Sequence, residues 1–103
     1  MAIIRGTTPI LRFTFKEVNV NNITDAFLII KRDQTNIIEK SIDEVAARTE
    51  TTLDWKLSQQ ETLSLPEGMI VDICCDWKIV DGTRGRSNIS RECVESSGKD
   101  EVI

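Results

Sequence analysis

Residues 69–80 alternate between apolar and polar positions with a period of two. Met69, Val71, Ile73, Cys75, Trp77 and Ile79 fall on one side. Asp72, Cys74, Asp76 and Lys78 fall on the other, and Ile70 and Val80 break the polarity only at the ends. That period predicts a strand with one face in a core and one in water. Asp81-Gly82 follows at once. This pair supplies positive φ at low cost and predicts a tight hairpin turn. The returning strand is expected over roughly residues 87–95, with Ile89 and Val94 inward.

The same period recurs upstream. Leu11, Phe13 and Phe15 alternate with Arg12, Thr14 and Lys16, which predicts a half-buried strand. Residues 17–22 hold Asn19, Asn21 and Asn22 and read as a turn. Ala26-Phe27-Leu28-Ile29-Ile30 is apolar on both faces. Such a run suits a strand covered on both sides, or one with an oligomer contact on its outer face. Residues 33–36 predict a hairpin turn and residues 37–41 the strand that returns from it. Residues 42–48 read as a loop with room for one helical turn, too short to stand without packing. Thr49, Thr51, Leu53, Trp55 and Leu57 alternate with Glu50, Thr52, Asp54 and Lys56, which predicts another strand. Ser58 with Glu61 three residues on has the form of a capping box, so a short helix near residues 59–64 is expected before Pro66. Residues 96–100 read as a turn, and Glu101-Val102-Ile103 as a short apolar end.

Short strands separated by turn signals predict an all-β domain, an antiparallel sandwich or partly open barrel of about seven strands, spanning residues 1–103 as one unit. The predicted core is Leu11, Phe13, Phe15, Leu28, Ile30, Leu53, Trp55, Val71, Ile73, Cys75, Trp77 and Ile89. At 103 residues folding buries somewhat over ~60% of the unfolded surface, enough for one core without staples.

Composition narrows the function classes. With 17 acids against 13 bases the formal net charge is −4, whereas a nucleic-acid groove wants a basic excess. No apolar run approaches the ~20 residues that span a bilayer. The start, Met1-Ala2-Ile3-Ile4-Arg5-Gly6, lacks a basic region followed by an apolar one, so no secretory leader is expected. Cys74, Cys75 and Cys93 are odd in number, which argues against a disulfide framework. Neighbouring strand residues leave opposite faces, so Cys74 and Cys75 are poorly placed to bond each other. Cys75 reads as a small core hydrophobe and Cys74 as a tolerated surface residue. A Cys75–Cys93 bridge requires that their strands pair.

Little chemistry is on offer. The chain has no histidine and no tyrosine, which leaves acid–base work to carboxylates and lysines. Asp72 and Asp76 share a strand face but stand about 13 Å apart by strand rise, beyond a shared ligand shell. No catalytic residue, metal site or cofactor is therefore expected. Arg84, Arg86 and Arg91 gather around the last hairpin and could grip a phosphate or an acidic partner. Trp55 and Trp77 fall on inward faces, which suits core packing better than a sugar platform. The candidate interface residues are Phe27 and Ile29, from the two-faced run, with Arg84 and Arg86.

Ile4-Arg5-Gly6-Thr7-Thr8-Pro9, then Leu11, Phe13 and Phe15, resembles the opening of a family of small proteins encoded in phage and prophage tail gene clusters of Gram-positive hosts. The segment Leu57-Ser58-Gln59-Gln60-Glu61-Thr62-Leu63 is similar to a second element of that family. Gly68-Met69-Ile70-Val71-Asp72-Ile73, Trp77, Asp81-Gly82 and Ser87-Asn88-Ile89 resemble its final hairpin, and Val102-Ile103 its end. The chain is more distantly similar to the N-terminal domain of upper baseplate proteins in phages of lactic-acid bacteria. It departs from the family pattern at Cys74-Cys75 and near Ser97-Gly98-Lys99-Asp100. The resemblance implies an immunoglobulin-like β-sandwich that serves as a tail or baseplate structural component, without catalysis. It implies partners among other phage structural proteins or further copies of itself, and production in the host cytoplasm before incorporation into a virion. The alternative is a carbohydrate- or receptor-binding adhesion module, which needs an exposed aromatic shelf or a calcium cluster.

Overall fold

A computed structural model describes residues 2–98. Within them the chain forms β1 (Ile3–Ile4), β2 (Ile10–Thr14), β3 (Ile23–Arg32), β4 (Thr35–Ser41), β5 (Ala47–Arg48), β6 (Thr52–Lys56), helix α1 (Gln59–Leu63), β7 (Ile70–Ile79), β8 (Arg84–Arg86) and β9 (Ser90–Glu95). Two of these strands are only two residues long, which leaves seven longer ones, close to the expected number, although β8 lies where no strand was expected. Short 3₁₀ turns cover Val20–Asn22 and Ile42–Glu44. The expected turn over residues 96–100 lies partly outside the described residues, and the apolar end at 101–103 lies wholly outside them.

The strands form two sheets. The larger runs β1-β9-β7-β3-β4, with β8 beside β7, and the smaller runs β2-β6-β5. All pairs are antiparallel except β1 with β9, which is parallel. The fold is thus an all-β sandwich with one short helix.

β7 and β3 form the spine of the large sheet, paired from Ile23↔Ile79 to Lys31↔Asp72. Side chains alternate across that pair. Ala26, Leu28 and Ile30 face inward beside Trp77, Cys75 and Ile73. Against them packs the inner face of the small sheet, where Leu11 of β2 lies opposite Trp55 of β6 and Phe13 opposite Leu53. Leu28, Ile30, Leu53, Trp55, Val71 and Cys75 are fully sealed. The Trp55 indole N–H donates to the Ser41 carbonyl at 2.9 Å, so the one polar atom of that ring is satisfied inside the core.

The connections follow local chemistry. Asp33 adopts φ +55° in the two-residue turn between β3 and β4, a conformation that aspartate tolerates. Gly82 adopts φ +91° after β7, and the Asp81 carboxylate accepts the Thr83 N–H at 2.8 Å, an Asx turn that closes the predicted hairpin. At α1 the capping box is complete: Ser58 Oγ accepts the Glu61 N–H at 3.1 Å, and Glu61 Oε1 accepts the Ser58 N–H at 2.8 Å. The same Glu61 oxygen takes Lys40 Nζ at 3.0 Å, which ties the helix to β4 of the large sheet. Burial pushes the Glu61 carboxyl up, but the Ser58 amide and the Lys40 ammonium outweigh it and hold it below its ordinary value.

Several expectations need correction. The loop at 42–48 contains a 3₁₀ turn and the strand β5, because Ala46 N–H donates to the Asp54 carbonyl and brings the chain alongside β6. The predicted strand at 87–95 is broken. Ser87 Oγ accepts the Cys75 N–H at 2.8 Å in place of a backbone carbonyl. The chain leaves the ladder for residues 87–89 and rejoins as β9 at Ser90, opposite Ile73. Ile89 falls in that gap and is 48% exposed, not core, whereas Val94 is buried as expected. Met69 precedes the strand proper and is also exposed. Phe13 and Trp77 are only half-buried. Cys74 is buried although it stands on the outer face. Its small thiol lies opposite Ile29, between two longer Arg–Asp pairs.

Candidate functional site

The outer face of the large sheet gathers the residues the sequence singled out. Phe27 and Ile29 stand on β3 between the sealed positions Ala26, Leu28 and Ile30. Ala26–Ile30 is thus core on one side only, and Phe27 is 37% exposed on the other. Phe27 lies opposite Asp76 of β7, which lies opposite Arg86 of β8. Arg84 lies opposite Lys78 on the same face. Phe27, Arg84 and Arg86 therefore fall within one patch, with Ile29 one cross-strand position further along.

The charges on this face are organised as cross-strand pairs. Arg86 grips Asp76 with two bonds, Nε–Oδ1 at 2.7 Å and Nη2–Oδ2 at 3.2 Å. Arg91 Nε meets Asp72 Oδ1 at 3.3 Å. The predicted basic trio is thus split. Arg86 and Arg91 answer two separate aspartates, while Arg84 has no ion pair among the described residues. Asp72 and Asp76 are engaged one by one and do not converge. A shallow groove of about 340 Å³ crosses the face, lined by Asp25, Phe27, Asp76, Lys78 and Arg84, with Trp77 at its edge.

A second groove, of about 520 Å³, opens on the side of the sandwich between β2 and β8. Phe13, Phe15, Val18 and Trp77 form its apolar lining, with Lys16, Glu17, Arg86 and Asn88 on the rim. Phe15 meets Trp77 at 83° with centroids 6.2 Å apart, an edge-to-face contact. The Trp77 ring lies over Gly85 so closely that an added Cβ would stand 2.2 Å from its Cζ2. Alternation in the sequence put Trp77 in the core. The missing signal was Gly85, which shows only through its position opposite Trp77 in the hairpin.

The cysteines carry no evident chemistry. All three are free. β7 and β9 do pair, but Cys93 lies opposite Ile70, five positions from Cys75 and about 16 Å away by strand rise. Burial, reinforced by Asp76, pushes the Cys75 thiol up to about 12, and burial raises the Cys74 thiol as well. Neither supplies a thiolate at neutral pH. Among the described residues no group of three or more carboxylates and thiols is placed to hold a metal ion, and no helix is long and apolar enough to cross a membrane.

In comparison with known proteins, no family model, no curated protein and no solved structure matches the chain.

Proposed function

We propose that this chain is a non-enzymatic structural or assembly component of a phage or prophage tail or baseplate, and that it docks through the outer face of its large sheet. The observation that carries the reading is the clustering of Phe27, Arg84 and Arg86 on one solvent-facing patch, with Ile29 beside them. An exposed aromatic beside a guanidinium is the composition that assembly interfaces favour. The motif resemblance, spread from Ile4 to Ile89, supports the tail assignment.

The test is made on particles. Virions released by induction of the source lysogen are purified on a density gradient and their proteins quantified by mass spectrometry. The chain is expected at a fixed ratio to the major tail protein, and a Phe27→Asp variant is expected in the cell extract but not in particles. Its absence from wild-type virions would overturn the reading.

The adhesion-module alternative has one observation in its favour, the partly open Trp77. However, that ring already rests on Gly85 with one face and is in edge-to-face contact with Phe15, whereas a sugar platform needs a free aromatic face. Trp55 is wholly sealed. The structural-component reading is therefore preferred.

A further inference from the structure

The edge formed by β8 is built to receive another strand. Thr83 and Ser87 turn their backbone groups toward β7: the Ile79 N–H donates to the Thr83 carbonyl at 2.9 Å, and the Ser87 N–H donates to the Cys75 carbonyl at 2.8 Å. Backbone groups alternate along a strand, so the N–H and C=O of Arg84 and Arg86 point away from the sheet. Among the described residues no strand pairs with that edge. An edge with two open donor–acceptor positions is a template for strand addition.

The side chains select what could be added. Arg84 and Arg86 stand on the outer face, while Gly85 between them faces inward, and the Trp77 ring fills the space its side chain would take. A strand laid along β8, about 4.8 Å away, would aim one residue inward opposite Gly85. That residue would enter the 520 Å³ groove lined by Phe13, Phe15, Val18 and Trp77. Its two neighbours would face Arg84 and Arg86 on the outer side. Arg86 shares its charge with Asp76, whereas Arg84 has no carboxylate partner among the described residues. Opposite charges across a strand pair stabilise, and like charges destabilise. A second copy pairing antiparallel through β8, with Gly85 opposite Gly85, would set Arg84 against Arg86 twice and leave both grooves empty. The charge pattern therefore disfavours self-pairing.

We propose that β8 and the adjoining groove form a strand-addition site for an extended segment of another protein, with one aliphatic residue between two acidic ones. This site shares Arg84 and Arg86 with the outer-face patch but adds the open backbone edge of β8 and the groove beside Trp77, and the inference holds whether or not the chain belongs to a phage particle.

The probe is a synthetic heptapeptide of sequence STEIETS, titrated into the ¹⁵N-labelled full chain and followed by NMR. The expected result is movement of the Arg84 and Arg86 amides and of the Trp77 indole N–H. Binding should be about tenfold tighter than for STKIKTS, in which lysines replace the glutamates. Arg84→Pro removes an outward N–H without touching the β7 ladder and should abolish binding. Arg84→Glu keeps the backbone and should erase the preference for the acidic peptide, which gives a readout even if the proline variant fails to fold. Equal affinity for the two peptides, shifts confined to other surfaces, silence at millimolar peptide, or response only to saccharides would each overturn the proposal.

Discussion

The two tryptophans occupy equivalent positions in the alternation yet meet different fates. Trp55 lies on β6, the central strand of the small sheet, with β2 and β5 on either side. Its ring touches Phe13 edge-on at 5.7 Å, its N–H is bonded, and it is fully buried. Trp77 lies on the central β7, but its ring reaches over β8, a three-residue edge strand with no further strand beside it among the described residues. Both point inward. Burial differs because a strand's period decides only which way a side chain faces, while the elements beyond it decide whether it is covered. β2 and the residue just after it supply the aromatic partners in the two regions: Phe13 for Trp55 and Phe15 for Trp77.

The largest expected effect separates the two regions directly. Trp55→Ala should cost about 3–5 kcal/mol in urea unfolding, the range for emptying a sealed aromatic site. Trp77→Ala, truncating a half-exposed ring, should cost about 1–2 kcal/mol by the apolar area it covers. Equal losses would show that the open region is as tightly packed as the closed one and would break the contrast. Next comes Gly85→Ala. Its Cβ would stand 2.2–2.7 Å from three atoms of the Trp77 ring, so the ring must move, at about 1–3 kcal/mol. The same substitution in a Trp77→Ala background should be nearly neutral, and an additive double-mutant cycle would refute the contact. A smaller effect is expected from Ser58→Ala, which removes the N-cap of α1 and should cost about 1 kcal/mol.

Acid provides the finest distinction. Asp54, on the Trp55 strand, is 7% exposed and accepts both Arg12 Nε at 2.8 Å and Arg12 Nη2 at 2.9 Å. The Arg12 guanidinium holds that carboxyl below its ordinary 3.8, against the opposing effect of burial. A carboxyl depressed in the folded state contributes stability that is complete above the unfolded value and is lost as pH falls through the folded one. Melting temperature should therefore drop below about pH 4, and Asp54→Asn should flatten part of that slope. An unchanged slope in the variant would remove Asp54 from the account.

What the sequence disclosed divides along physical lines. The longer strands β2, β3, β4, β6 and β7, the Asp81-Gly82 turn and the Ser58 capping box were legible because each depends on neighbours within a few residues; β1, β5 and β8 were not. The sealing of Leu28, Trp55 and Val71 followed from the same period. Ile89 was misplaced because a side-chain oxygen, Ser87 Oγ, took a ladder position from the backbone, and no hydrophobic pattern records that exchange. Cys74 was misplaced because burial on an outer face depends on the longer side chains around it, here Ile29 opposite and the Arg86–Asp76 and Arg91–Asp72 pairs on either side. Of the candidate patch, Phe27, Ile29, Arg84 and Arg86 were named from composition and run length alone. Their juxtaposition required the pairing β8-β7-β3, which is non-local. The groove beside Trp77 was invisible, since its lining joins residues 13–18 to Trp77 and residues 86–88, which only the tertiary fold brings together.

The side chain that Gly85 lacks has one more consequence. A strand can slip along its neighbour by two residues without turning any side chain to the wrong face, and the arginines of β8 would permit it, because Arg84 would then take the place of Arg86 opposite Asp76. Such a slip would bring Thr83 or Ser87 beneath the Trp77 ring, where no β-carbon fits. The indole therefore acts as a gauge that accepts only the hydrogen-bearing Cα of a glycine. The last hairpin keeps its place in the sheet by an omission at a single position.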